Sequence, residues 1–140
     1  MLYEQDFALW ADTQAQALAA GRYEDLDLVN LADEVGGLTR SDKRALLSRA
    51  GVLIGHLMKW QHQPGKRGKS WFYTIREQRE SVTELLEDSP SLKGYLEAVL
   101  ERAHKAGHVL AHKETQLDWD LFTDTRFTFE QLLDTNYYPE

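Results

Sequence analysis

The sequence predicts an all-α fold: one helical bundle over residues 1–140, built around a long hairpin of its third and fourth helices. Three observations predict it. Apolar residues recur at helical spacing almost throughout. No stretch alternates apolar and polar residues for long enough to make a strand. Proline occurs only at positions 64, 90 and 139, which leaves long uninterrupted segments. With 140 residues, 42% of them hydrophobic and 28% charged, the chain has the size of one ordinary domain and enough apolar material to bury a core. That composition excludes a disordered acidic tail, a collagen and a coiled-coil rod.

The first helix is expected over about 3–20, where Tyr3, Phe7, Trp10, Ala17 and Leu18 share a face and Gly21 follows as a stop. A second is expected over about 24–36, on the stripe Leu28, Leu31, Ala32 and Val35, ended by Gly36-Gly37 at about 1 kcal/mol of helix propensity per glycine. The third covers about 40–62, with Thr39 as N-cap and Asp42 three residues on. Its wide apolar face holds Leu46, Ala50, Leu53, Ile54, Leu57 and Met58, and Gly51 and Gly55 would let a neighbouring helix approach closely. The clear loop is Pro64–Lys69. Ser70 is expected to cap a fourth helix over about 71–87, lined by Trp71, Ile75, Gln78, Val82, Leu85 and Leu86. Asp88-Ser89-Pro90 breaks the chain, with Ser89 as cap and Pro90 at the first helical position. A fifth helix spans about 90–114 on Leu92, Leu96, Val99, Leu100, Ala103 and Leu110. Residues 115–127 read as irregular, followed by a short terminal helix capped by Thr128 with Gln131 three residues on.

The absence of cysteine excludes disulfides, thiolate chemistry and cysteine-ligated zinc or iron–sulfur clusters. The first residues carry Glu4 and Asp6 and show no secretory signal pattern, and no apolar run reaches the roughly 20 residues of a membrane helix. The expectation is a soluble, cytoplasmic protein of bacterial type that does not enter membranes. Its net charge of −7 is unevenly spread. Residues 1–38 hold eight acids and one base, residues 39–79 ten bases and two acids, and residues 80–140 thirteen acids and five bases. Mean acidity argues against nucleic acid as a partner, and the basic middle keeps an anionic partner open.

Four groups of residues could carry chemistry. Gly68-Lys69-Ser70 imitates the end of a phosphate-binding loop, but Gln63 stands where the first glycine belongs and a helix precedes it instead of a strand. What remains is a helix start beside Lys66, Arg67 and Lys69, a generic place for an anion. Around it, Lys59, Trp60, His62, Lys66, Arg67, Lys69, Trp71, Phe72, Tyr73, Arg76 and Arg79 mix cations with flat rings, a mixture suited to single-stranded nucleic acid. Trp60 and Trp71, however, both continue apolar stripes, which favours placing them in the core at the hairpin end over a nucleic-acid face. In the fifth helix, His104, His108 and His112 share a face, and His56 could supply a ligand from the third. His56, His104 and His108 would then hold a single divalent metal ion, an arrangement similar to the metal-binding bundles of the DinB-like superfamily. The competing reading is a solvated histidine stripe beside Glu101, Lys105 and Lys113, with no cofactor at all. Finally, Glu34 and His56 sit among apolar neighbours, and a buried carboxylate must be paired. His56, Arg76 and Arg79 are the expected partners, either as a dyad or as a pin of helix register.

Several segments together resemble a known family. Leu26–Val35, the block His56-Leu57-Met58-Lys59-Trp60-Gln61-His62-Gln63-Pro64 followed by Arg67, Ser70-Trp71, Thr74-Ile75 and Gln78-Arg79, the block Asp88–Lys93, and the start Tyr3–Phe7 are similar to the bacterial domain of unknown function family twenty-nine. The resemblance covers about residues 1–115. It implies an all-helical bundle with no established activity, and its polar pattern positions fall here on Glu34, His56, Lys59, Arg67, Ser70, Thr74, Gln78 and Arg79. The histidine series is outside it.

The functional expectation is a non-enzymatic binding or regulatory module. It would offer a polar cluster and basic loop (Glu34, His56, Trp60, Lys66, Arg67, Lys69, Ser70, Trp71, Gln78 and Arg79) to an anionic protein or nucleic acid. The alternatives are a metal-dependent enzyme using His56, His104 and His108, and an assembly role in which the chain pairs with another copy.

Overall fold

The computed structural model describes all 140 residues. It is all-α, with eight α-helices, two short 3₁₀ turns and no strand. The chain divides into two compact units, Met1–Ser41 and Asp42–Glu140.

In the first unit the expected helix over 3–20 is two helices, α1 (Leu2–Gln5) and α2 (Phe7–Ala20). Asp6 separates them in a non-helical conformation, and its carboxylate accepts the Leu9 N–H at 3.0 Å as the N-cap of α2. Gly21 ends α2 at φ 72°, the left-handed stop expected of it. The next helix begins at Leu28, not at 24, because Asp27 is the cap. Its carboxylate accepts from the Asn30 backbone (3.4 Å) and side chain (2.8 Å) and from Trp10 Nε1 (3.1 Å). Buried Gln14 fixes the same corner by accepting the Asp27 N–H at 2.7 Å.

That helix, α3, runs unbroken from Leu28 to His62. The break expected at Gly36-Gly37 does not occur, and Thr39 lies inside the helix rather than capping one. Two glycines forfeit about 2 kcal/mol of propensity, yet ending a helix there would strand the terminal N–H and C=O groups of two helix ends. The bare glycine backbone also lets Arg40 fold back over it. Its guanidinium reaches the Asp33 carbonyl at 3.4 Å and carboxylate at 3.6 Å. A methyl group on Gly37 would meet only the far end of Arg40, at 3.6 Å. Gly37→Ala is therefore expected to raise stability by about 1 kcal/mol, read as a higher urea midpoint at unchanged helicity.

In the second unit, residues 42–62 of α3 and helix α4 (Lys69–Asp88) form the expected antiparallel hairpin, joined through a 3₁₀ turn at Pro64–Lys66. Arg49 borders the same groove as Ser81 and Asp88, Ser48 and Val52 the same groove as Gln78, and Lys59 lies over the Trp71 ring at 4.8 Å. The cap of α4 is Gly68 rather than Ser70, which sits exposed in the first turn. Ser89 closes α4 instead of opening the next helix, and the Pro90 turn leads into α5 (Leu92–Ala98). Val99, at φ −103°, separates α5 from α6 (Leu100–Thr115), so the expected helix over 90–114 bends once.

The core gathers Leu46, Leu53, Ile54, Leu57, Ile75, Val82 and Leu96 with Phe122, Phe127 and Leu132 from the C-terminal segment. Helices α3 and α6 meet at small residues. A methyl group on Gly55 would fall 2.7 Å from Leu110 and 3.1 Å from the Gly107 carbonyl, and one on Gly107 2.8 Å from the Gly55 nitrogen. The close approach expected at Gly51 and Gly55 is thus realised against α6. Two short helices complete the chain, α7 (Asp120–Thr123) and α8 (Phe129–Leu133), the latter with the expected Thr128–Gln131 capping box. No helix is long and apolar enough to cross a membrane.

Candidate functional site

The residues singled out in the sequence fall into three separate places. Glu34 belongs to the first unit, where the Tyr3 hydroxyl donates to its carboxylate. That hydrogen bond pushes the Tyr3 pKa up to about 12. Tyr3 packs edge-on against Trp10, with ring centres 4.7 Å apart. The expected pairing of Glu34 with His56, Arg76 or Arg79 is corrected: the Tyr3 hydroxyl, 31 residues earlier in the chain, satisfies the carboxylate within the first unit, Arg76 pairs with Glu80 at 3.0 Å, and His56 Nδ1 bonds the Val52 carbonyl at 2.9 Å. Burial holds the His56 pKa below its ordinary value.

The second place is the histidine face of α6. It is not a solvated stripe. His104 is 2% exposed, and His108 is buried as well. Each ring bonds backbone: His104 Nδ1 to Leu100 O, His108 Nε2 to Trp119 O and His112 Nδ1 to Leu117 O, all at 2.9 Å. His104 Nε2 accepts the Phe127 N–H at 3.0 Å, and His62 from α3 bonds the Thr125 hydroxyl at 2.9 Å. His108 also stacks on Trp119 at 3.8 Å. These four histidines fasten segment 117–127 to the helices. Both nitrogens of His104 are engaged in protein hydrogen bonds, so it has no lone pair to give a cation, and nowhere are three His, Asp or Glu side chains gathered as a metal would need. Burial lowers the pKa of His104 and of His62.

The third place is where α4 meets the C-terminal segment, and Tyr138 is its hub. Trp60 packs on Tyr138 at 5.0 Å, Phe72 stacks on it at 5.8 Å with planes 12° apart, and the Arg79 guanidinium lies over its ring at 5.4 Å. Arg67 lies over Trp60, donates from Nε to the Trp60 carbonyl at 2.6 Å and reaches the carbonyls of Pro139 and Glu140 at 3.3 Å. Trp60, Arg67 and Arg79 therefore do converge, through a residue that the helical pattern did not single out. Trp71 is taken up beneath Lys59, itself buried and paired with Glu114 at 2.9 Å. Of the aromatic residues suited to base stacking, Phe72 and Tyr73 remain exposed, along with the cations Lys66, Lys69 and Arg76. Gln78 is half-buried on the opposite flank of α4, bordering a groove with Ser48, Arg49 and Val52.

Beside Tyr138 lies a cleft of about 460 Å³ lined by Phe72, Arg76, Arg79, Glu80, Thr135, Asn136 and Tyr138. Arg79 is its most constrained wall. It is 1% exposed, donates from Nε to Leu132 O at 2.9 Å and from Nη2 to Gln131 O at 3.0 Å, and forms no ion pair. Its Nη1 has no protein partner. Burial pulls its pKa below the usual arginine value, opposed by Tyr138, Asp134 and Tyr137, and a guanidinium so placed stays charged. A buried cation held by two carbonyls and an aromatic face, with no ion pair, favours an anion close by. Arg76, the Thr135 hydroxyl and the Asn136 amide add further donors around the same space. The sequence missed Thr135, Asn136 and Tyr138 because they lie outside any helical stripe; the aromatic pair Tyr137-Tyr138 in an otherwise polar end was the available signal.

A family model described as a domain of unknown function, DUF29, matches residues 2–138. No curated protein and no solved structure matches the chain.

Proposed function

The chain belongs to the DUF29 family, whose description carries no activity, and from its own geometry we propose that it is a non-enzymatic binding module that takes an acidic segment of a partner protein on the face formed by α4 and the C-terminal segment. The observation that carries this reading is Arg79, a buried guanidinium lining a cleft with one donor nitrogen unused. Arg76 at the rim and the exposed Lys66 and Lys69 of the adjoining loop supply attraction over a longer range. An acidic peptide fits better than nucleic acid, since Trp60, Trp71 and Arg67 are spent on internal contacts and a stacking platform needs free rings. A non-catalytic role is supported by the buried histidines, which bond backbone groups rather than one another or a carboxylate.

Calorimetric titration of the full chain with an oligoglutamate peptide is expected to show saturable binding that weakens as salt rises. Arg76→Glu, at an exposed wall position, is expected to weaken it by about tenfold or more, with only the small drop in thermal midpoint that losing the exposed Arg76–Glu80 pair brings. Equal binding of an oligothymidylate strand would replace this reading with nucleic-acid binding, and no binding of the peptide at low salt would end it.

A further inference from the structure

We propose that the first unit carries a separate docking surface, the α3 stripe Leu28, Leu31, Val35 and Leu38, and that its partner is a basic amphipathic helix of another protein. The four residues follow the three–four spacing of a heptad seam. At 3.6 residues per turn they fall within an arc of about 80°, a single face rather than a scatter. Three of them stand open to solvent, Leu28 at 67%, Val35 at 64% and Leu38 at 68% exposure, with Leu31 half-buried between them. Scattered exposed apolar residues are ordinary, but four in register on one helix face mark a place where another helix lies. The seam stops at Asp42, which occupies the next core position of the repeat. Two heptads are too short for a free-standing coiled coil and long enough for a helix to lie in contact through its apolar face.

Charge decides the occupant. Met1–Ser41 holds eight carboxylates against two cations, Arg22 and Arg40. Both cations are already taken, by Asp25 at 3.3 Å and Asp33 at 3.6 Å. Asp27 and Glu34 occupy the positions flanking the seam on one side, where paired helices exchange charges. A second copy of this chain would bring the same carboxylates and be repelled. A helix with leucines at the core spacing and lysines beside them is attracted. This surface is independent of the cleft beside Tyr138, and either can fail alone.

The test is fluorescence anisotropy of the full chain with a labelled, hydrocarbon-stapled helical peptide carrying leucine at the core positions of two heptads and lysine at the flanking ones. A second peptide carries glutamate in place of lysine. The lysine peptide is expected to bind, and the glutamate peptide to bind at least about tenfold more weakly. Val35→Gln with Leu38→Gln, neutral changes at exposed helical positions, should weaken binding by about tenfold or more at unchanged helicity. Val29→Gln, exposed but off the stripe, should leave it as it was. Equal affinity for the two peptides, binding indifferent to the Val35/Leu38 change, or no binding of the lysine peptide would overturn the proposal. So would a dimer in sedimentation that the same double change dissolves, since a second copy would then be the occupant.

Discussion

Replacing Gly107 with valine is expected to lower the stability of the chain by at least about 3 kcal/mol. The first atom beyond the α-carbon would lie 2.7 Å from Ile54 Cγ2, 2.8 Å from the Gly55 nitrogen and 2.9 Å from Ile54 Cβ. Two of those three atoms belong to backbone or to the root of a fully buried side chain, so nothing flexible can move aside. Relief requires separating α6 from α3, which would loosen the packing of Leu53, Ile54, Leu57 and Ala103 together. Valine is a better helix former than glycine by only a few tenths of a kcal/mol, too little to offset the clash. A urea titration followed by far-ultraviolet circular dichroism reads the effect. Gly65→Ala serves as the comparison, since nothing lies within 4 Å of a methyl group there. A midpoint for Gly107→Val within error of the parent would mean that the two helices are not held at this distance.

Acidification is expected to unfasten the second unit below about pH 6.5. Burial keeps the pKa of folded His104 below the ordinary histidine value, and the unfolded chain regains about 6.5. Between those two values the unfolded state binds the additional proton, so stability is complete above about pH 6.5 and declines as pH falls through that window. The limiting slope from His104 alone is about 1.4 kcal/mol per pH unit. His56 and His62, lowered by burial too, act in the same direction. The geometry explains the penalty: His104 Nε2 is the acceptor for the Phe127 N–H, and a protonated ring would present a hydrogen to a hydrogen. Urea midpoints measured across the range should fall on the acid side, and His104→Gln should be less stable at neutral pH but flatter in its pH response. A parent midpoint indifferent to acid would remove this account.

The all-α architecture was legible because it rests on local spacing. Leu46, Leu53, Ile54 and Leu57 announce a buried helix face wherever that helix packs, and Gly21 and Thr128 stop and start helices through their own backbone and side chain. What misled was also local. Gly36-Gly37 carries a propensity penalty that the sequence displays, whereas the Arg40 side chain folded across it becomes visible only in three dimensions. Ser70 and Ser89 have the chemistry of caps, but Gly68 takes one place and the Pro90 turn leaves the other without a side-chain cap. The α6 histidines looked solvated because Lys105 and Lys113 adjoin them in sequence; segment 117–127, which reads as featureless, is what covers them. Of the candidate site, Trp60, Arg67 and Arg79 were found from their residue types. Their convergence was not, because Tyr138 and the carbonyls of Gln131 and Leu132 come from a stretch without periodicity.

The wrapped C-terminal segment also bears on how fast the second unit can assemble. Helical proteins usually fold quickly because their contacts are short-range in sequence. Here Lys59 meets Glu114, His62 meets Thr125, Arg79 meets Leu132 and Arg67 meets Pro139, across separations of 55, 63, 53 and 72 residues. Each such closure fixes a large loop before any compensating burial is complete. The chain therefore carries the kinetic signature of a more non-local topology on a helical framework, and its refolding in stopped-flow should be slower than its helix content alone would suggest.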